Sequence, residues 1–295
     1  MPILTIFTPT YNRAYTLHKC YESLKSQSNK DFIWLIIDDG SSDSTEELVT
    51  RWIAEDIISI RYYRQENQGM HGAHNTAYSL IDTELNVCID SDDYMPDDAV
   101  EKIITFWKEN GSEEVGGIIG LDCNTKGEII GSELPEEIKT STLFNLYNIY
   151  GVKGDKKLVY QTKLTKKYPY PVYQNEKLVP LSYKYFMLDQ EYEMLLMNEV
   201  LCCVEYLPDG SSKNIIKQYK NSPKGFRFYR MEMMKLPNTS LLFKFKQAVH
   251  YVSCSIFAEN KGILMHSPQK LLTLIALPFG FVLNKYILTK VAKNN

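Results

Sequence analysis

Short apolar runs and helix-period stretches alternate along the first 120 residues, which is how a parallel sheet built from βαβ units reads. Ile3–Phe7 predicts a first strand that Pro9 ends. From Ala14 to about Ser26, Leu17, Cys20, Tyr21 and Leu24 recur at i, i+3, i+4 and i+7, predicting a helix with one apolar face. Phe32–Ile37 is apolar without alternation, as a strand buried on both faces requires. Ser44-Thr-Glu-Glu47 has capping-box spacing and opens a helix expected to reach about Ala54. Ile58–Tyr63 reads as a strand, Ala73–Ile81 as a short helix, Asn86–Ile89 as a fourth strand and Gly117–Leu121 as another. Between the last two, Pro96 sits near the start of a helix running to about Glu109. From about Gly131 to Leu207 the pattern loosens into Tyr-rich and Lys-rich segments with helical stretches, Leu188–Val200 among them, and from Lys213 on it is helical. The expected class is α/β, with a mostly parallel central sheet and a basic helical C-terminal region.

Length and composition leave room for one large domain and an appendage: 295 residues, 44% hydrophobic and 23% charged, which excludes disorder, collagen and coiled coil. The net charge of −3 conceals an asymmetry. Residues 1–212 carry 19 Lys and Arg against 34 Asp and Glu, whereas residues 213–295 carry 14 against only Glu232 and Glu259. A basic tail of this kind meets an anionic surface, either nucleic acid or phospholipid. Leu271–Leu288, LLTLIALPFGFVLNKYIL, would span about 27 Å as one helix, at the lower edge of a bilayer crossing. Pro278, Gly280, Asn284 and Lys285 interrupt it, predicting a broken or interfacial segment. Lys224-Gly-Phe-Arg-Phe-Tyr-Arg230 and Leu242-Phe-Lys-Phe-Lys246 interleave aromatics with positive charge, which suits anionic headgroups. Single-stranded nucleic acid could use the same interleaving but gives the apolar stretch no role, so a membrane surface is the expected partner and nucleic acid is not. A helical subdomain packed on the core is the structural alternative. The six cysteines form no CxxC pair and mostly sit in apolar runs as small hydrophobes, an expectation of a reducing compartment. With no charged N-terminal region ahead of a long apolar stretch, the expected location is the cytoplasm, peripheral to the inner face of the membrane.

The densest chemistry is Asp90-Ser-Asp-Asp93, directly after an apolar strand. Carboxylates at the carboxyl end of a sheet strand face the crevice where ligands bind in open α/β sheets. Crowded like charges raise one another's pKa, a conflict that a divalent cation removes. Mg²⁺ or Mn²⁺ takes one or two such carboxylates and completes its shell with phosphate oxygens. The competing reading is an acidic turn capping the next helix. Asp38-Asp39-Gly40 ends another strand and offers acceptors to a ribose hydroxyl or a base N–H, or else an Asx-turn. After the first strand, Tyr11 is placed to stack on a base and Arg13 to reach a phosphate or carboxylate.

The order of these motifs, TPTYNR, IIDDGSSD, ENQGMHGAHN and CIDSDDYMPDD, resembles family-2 glycosyltransferases of the GT-A nucleotide-sugar-binding fold, closely over residues 3–110 and loosely to about 230. The resemblance implies that Pro9, Tyr11 and Arg13 surround a uracil and that Asp39, with Asp38 beside it, contacts the uridine. It implies that Asp90 and Asp92, with Ser91 between them, face the donor ribose and the diphosphate-bound Mn²⁺ or Mg²⁺, with Asp90 and Asp92 as metal ligands. Asn67, Gly69, His74 and Asn75 match the loop and helix start between those sites, His74 standing where many relatives have Arg. The catalytic base matches Glu176 in Asn175-Glu-Lys-Leu178, with Lys177 replacing the usual second acid and Asp189 and Glu191 as alternatives. Residues 1–212 would be the catalytic domain, split into a nucleotide-binding half (1–120) and an acceptor half (121–212), and residues 213–295 a membrane-associating region. Lys213, Lys217 and Lys220 would face a phosphate or form a solvated basic face. The implied activity is inverting transfer from a UDP-sugar to a saccharide acceptor, lipid-linked, in bacterial surface-polysaccharide assembly. A nucleotidyltransferase shares the carboxylate-metal arrangement, but Thr8–Arg13 lacks the Gly- and Lys-rich phosphate loop it would use; a nucleic-acid-binding protein would rely on the tail alone.

Overall fold

The computed structural model describes residues 2–206 and 215–293. The expected boundary after Ser212 and Lys213 lie outside them. The chain forms two units: Met1–Asn67, Ala73–Pro169 and Lys184–Leu207 make the first; Gln68–Gly72, Tyr170–Tyr183 and Pro208–Asn295 make the second.

All strands belong to the first unit. Their sheet runs β3 (Ile60–Arg64), β2 (Phe32–Asp38), β1 (Leu4–Thr10), β4 (Leu85–Cys88), β7 (Lys156–Gln161), β5 (Gly117–Asn124), β8 (Met194–Val204), β6 (Thr140–Ser141). The β3-β2-β1-β4 half is parallel, β7 is antiparallel to both neighbours, and β5 pairs parallel with β8. Every residue of β2 is buried, as its unbroken apolar run requires, while β3 alternates and exposes Arg61, Tyr63 and Arg64 as an edge strand. Helices α1 (Ala14–Lys25), α2 (Thr45–Glu55) and α4 (Ala99–Asn110) follow β1, β2 and β4. α1 buries Leu17, Cys20, Tyr21 and Leu24, the predicted stripe, and Tyr21 stacks on Trp52 of α2 at 4.3 Å between ring centroids. A second cluster, including Ile119, Leu121, Leu143, Leu146 and Tyr160, involves the short helix α5 (Leu143–Asn148). α6 (Thr162–Thr165) follows β7; α3 (Met70–Leu80) and α7 (Ser182–Leu188) pass from one unit's residues to the other's.

Leu188–Val200 is not helical. α7 ends at Leu188, and the chain turns and enters β8, where Leu195 and Leu196 pair with Ile118 and Ile119 of β5. An apolar run as dense as MLLMNEVLCCV satisfies either period, and pairing with β5 and β6 decides for the strand.

The second unit holds α8 (Ile215–Asn221), α9 (Pro223–Lys235), α10 (Leu241–Phe257) and α11 (Lys270–Lys293). Ser240 starts α10 by accepting a bond from Phe243 N at 3.1 Å. Met234, Ala248, Tyr251, Val252 and Ala276 form this unit's core. Contrary to expectation, Pro278 does not break the apolar segment, because α11 continues through it while packed along α10.

Candidate active site

Parallel register brings the predicted residues of the first unit to one sheet edge. Thr10 lies opposite Asp38, Asp38 opposite Arg64, and Phe7 opposite Cys88, so the carboxyl ends of β3, β2, β1 and β4 open on the same side.

The loops after β1 and β2 are laced together by two side chains that the motif reading passed over. Asn12, in the left-handed region at φ 52°, accepts from Ser42 N at 2.7 Å, and its own N–H donates to Ser41 Oγ at 2.9 Å. Asp43 accepts from Ala14 N at 3.0 Å, opening α1, and from Thr45 N at 3.1 Å, opening α2. Burial pushes the Asp43 carboxyl up, but hydrogen bonds from Thr45 and Ala14 outweigh it and hold the group below its ordinary value. The expected Ser44 capping box is not formed; Ser44 makes no side-chain cap bond. On this frame Tyr11 projects half exposed, with Arg13 beside Tyr15 and Pro9 half-buried.

Asp38 and Asp39 divide their tasks. Asp38 is fully buried, accepting from Ser41 N at 2.8 Å and from Tyr62 Oη at 2.5 Å, with Arg64 Nε 3.8 Å away. Both its oxygens hold the loop, so the Asx-turn reading applies to Asp38, which does not line an open surface. Asp39, also buried, accepts from Gln65 Nε2 at 2.7 Å, and Asn67 follows Gln65 on the same loop. Tyr62, Arg64 and Gln65 all come from β3 and its end. The sequence signal for them was a strand terminating in Tyr-Tyr-Arg-Gln.

The Asp90–Asp93 turn closes by Asp93 N donating to Asp90 O at 3.0 Å. Asp90 is exposed, Asp92 half-buried, and Ser91 and Asp93 buried. Asp93 accepts from Glu205 N at 3.1 Å, and reciprocal backbone bonds between Tyr94 and Cys203 (3.1 and 2.7 Å) fasten the turn to β8. Burial pushes the Asp93 carboxyl up to about 8, with Asp90 and Asp92 pushing the same way against Lys157 and the Glu205 amide. Lys157, on β7, lies 3.7 Å from Asp122 and donates to Cys88 O at 3.5 Å. Burial pulls its pKa down, but Asp122, Cys202, Asp93 and Asp90 outweigh that and hold it well above its ordinary value. A fixed cation thus sits among these acids.

For a divalent cation, Asp90 and Asp92 are hard oxygen donors at this turn. Among the described residues no group of three or more His, Cys, Asp or Glu is arranged to hold an ion alone. Two carboxylates fit an Mg²⁺ or Mn²⁺ ion whose remaining positions go to phosphate oxygens and water.

His74, at the helix start where many relatives have Arg, faces the interior. It is wholly buried, edge-on to Phe7, with Nδ1 3.3 Å from Tyr78 Oη and Nε2 3.8 Å from Cys88 Sγ. Cys88 Sγ in turn lies 3.8 Å from Asp90 Oδ1, so His74 backs the turn from inside.

Gly69 and Glu176 belong to the second unit. Gly69 has φ +80°, and a Cβ there would lie 2.2 Å from Lys177 O, so no side chain fits. His71 Nδ1 accepts from Val179 N at 3.2 Å, and burial holds its pKa down to about 4. Glu176 is buried at the N-terminus of α9, accepting from Lys224 N at 3.1 Å and Gly225 N at 2.9 Å. It caps a helix whose own Ser222 makes no side-chain cap bond. The alternatives, both in the first unit, are engaged as well. Asp189 accepts from Phe144 N at 2.8 Å and Leu143 N at 3.3 Å, its carboxyl pushed up to about 7 by burial. Glu191 pairs with Lys167 and Tyr168.

The family model described as glycosyl transferase family 2 matches residues 5–168. Among curated relatives, the GalNAc(5)-diNAcBac-PP-undecaprenol beta-1,3-glucosyltransferase of Campylobacter jejuni is 28% identical over 144 residues, covering 48% of this chain and 46% of that protein. Chondroitin synthase of Escherichia coli is 35% identical over 132 residues, covering 45% of this chain and 19% of that protein. The chain spans less than half the length of the curated relatives it matches. S. aureus TarS 1–349 in complex with UDP-GlcNAc superposes with a TM-score of 0.62 at 17% identity, over 94% of this chain and 80% of that one. A mannosyltransferase from Pyrobaculum calidifontis in complex with GDP-Man and Mn²⁺ gives 0.58 at 15%, over 97% and 87%. These likenesses show the fold, the GT-A α/β fold expected from the motif order.

Proposed function

The chain belongs to glycosyl transferase family 2, and from that premise we propose that it is a metal-dependent inverting glycosyltransferase moving a hexosyl or N-acetylhexosaminyl group from a UDP-sugar to a saccharide acceptor. The observation that carries this reading is the shared sheet edge, where register aligns the ends of β1, β2 and β4 and so gathers Tyr11, Arg13, Asp39 and the Asp90–Asp92 turn. In this reading Pro9, Tyr11, Arg13 and Asp39 hold the nucleoside, Asp38 and Asn67 support their loops, and Asp90 with Ser91 meets the ribose. Asp90 and Asp92 would hold Mn²⁺ or Mg²⁺, which when bound neutralises diphosphate charge. Lys157 and His74 stabilise the turn from within.

A carboxylate takes the acceptor hydroxyl's proton as that oxygen attacks the anomeric carbon and the bond to the diphosphate breaks. Glu176 is our candidate, ahead of Asp189 and Glu191, and it would do this while its other oxygen keeps an α9 amide. The undecaprenol-linked substrate in the C. jejuni relative's name supports a lipid-linked acceptor in bacterial surface-polysaccharide assembly. The basic region supports a location in the cytoplasm against the inner face of the membrane.

The test is a panel of nucleotide sugars with Mn²⁺ or Mg²⁺, scored by release of UDP. Asp92→Asn should lower turnover by about 10²-fold or more with unchanged thermal stability in the absence of nucleotide. Undiminished turnover sinks the metal assignment.

A further inference from the structure

Helix α11 is inverted relative to a helix that faces water. Its buried stripe is Thr273, Ala276, Gly280, Asn284, Ile287 and Val291, at spacings of three and four. Over the first four positions that stripe is small or polar. A Cβ on Gly280 would lie 2.4 Å from Val252 Cβ, so the two helices touch closely there, and Asn284 Nδ2 donates to Ser253 O at 3.3 Å. The outward face carries the bulk: Leu271, Leu274, Ile275, Phe279 and Val282 are each 51–73% exposed. In water the large apolar side chains of an amphipathic helix turn inward. Small residues at the helix contact and large apolar ones outside is the arrangement found where lipid is the solvent.

We propose that the outward face of α11 embeds in the hydrocarbon edge of an anionic leaflet, with the helix lying in the plane of the membrane. The inference rests on the reading that the basic region meets such a leaflet, and adds which surface enters it. The outward apolar face runs from Leu271 to Leu288, about 27 Å against a core about 30 Å thick, so length alone would allow a crossing; the packing of the helix's other side along α10 and the exposed Lys285 within the face favour the plane. Lys270 is exposed before it, Lys285 near its end and Lys290 beyond it, positions from which ammonium groups reach phosphates. Charge selects lipid over a second copy of the chain. α11 contains no Asp or Glu, and residues 213–295 carry 14 Lys and Arg against two Glu, so self-association would bring like charges together.

The experiment floats the full chain with vesicles of phosphatidylcholine containing about one-third phosphatidylglycerol, at low salt and at about 1 M NaCl, where charge attraction is screened within about 3 Å. The probe is the double variant Leu274→Glu, Val282→Glu, whose sites are exposed and whose melting curve should match wild type. Expected results are wild-type binding that persists in high salt and a loss of at least about tenfold in the variant, since each large side chain withheld from hydrocarbon contributes about a tenfold factor or more. Wild-type binding abolished by salt, with the variant binding equally well, overturns the insertion and leaves the electrostatic reading standing. No vesicle binding under either condition overturns both. A lipid-free dimer that the variant dissociates, seen by light scattering, reassigns the face to self-association and overturns the proposal.

Discussion

Asp43 opens two helices from one carboxylate, and the sequence pattern hides it. Capping-box spacing points to Ser44, whose neighbours are local, whereas Asp43 reaches Ala14 at the start of α1, 29 residues earlier. Asp43→Ala should cost about 1–2 kcal/mol in urea unfolding, the cap range, with an additional loosening of the Asn12 loop. The sign with pH follows from the lowered carboxyl pKa. The contribution is present above the unfolded-state value and is lost as pH falls through the lower folded value, so the variant's acid limb should be flatter than wild type's. Glu176 makes the same point in the second unit, where a candidate base also holds the start of α9. Glu176→Gln should reduce turnover by about 10²-fold or more and stability by about 1 kcal/mol. Retained turnover at lowered stability would leave it a cap alone. Asp38 was legible as a strand-end acid but not as a buried one, because its partners Tyr62 and Arg64 arrive on a neighbouring strand.

At the level of elements, legibility followed how much of each pattern was settled within its own segment. α1 was readable because a stripe at helical spacing permits one answer, and β2 because its apolar run is short, rich in Ile and aromatic residues and followed by the Asp38-Asp39-Gly40 turn. β8 was not, since MLLMNEVLCCV buries equally well at either period until β5 and β6 supply ladder partners. α11 was misread for a related reason: Pro278 and Gly280 are breakers by propensity, but against α10 the glycine is a close contact. Gly280→Ala tests this. Helix propensity alone predicts a gain of about 1 kcal/mol, whereas the 2.4 Å approach to Val252 predicts overpacking. The expected outcome is a lower melting temperature, and a higher one would show that the α10–α11 contact yields easily.

At the scale of the whole molecule, the loops after β1, β2 and β4 were readable as one edge because each lies at a strand end and parallel register aligns those ends. The second unit draws on Gln68–Gly72 and Tyr170–Tyr183 as well as the C-terminal helices, an assembly no single stretch of pattern encodes. Its consequence concerns linkage between ligand and stability. Asp90, Asp92 and Asp93 crowd negative charge at one edge of the first unit, and the raised Asp93 carboxyl reflects that crowding after burial. A ligand that brings a cation to this turn should stabilise the first unit beyond what nucleotide alone achieves. With UDP and Mg²⁺ at about 100 times their joint Kd, linkage gives about 2.7 kcal/mol, or about 5–10 °C in a unit of this size. UDP with a chelator should give a distinctly smaller rise, and Asp92→Asn should show that smaller rise with Mg²⁺ present. Differential scanning fluorimetry of the three samples decides it: equal shifts would mean that the nucleoside loops bind UDP without any contribution from the Asp90–Asp92 turn.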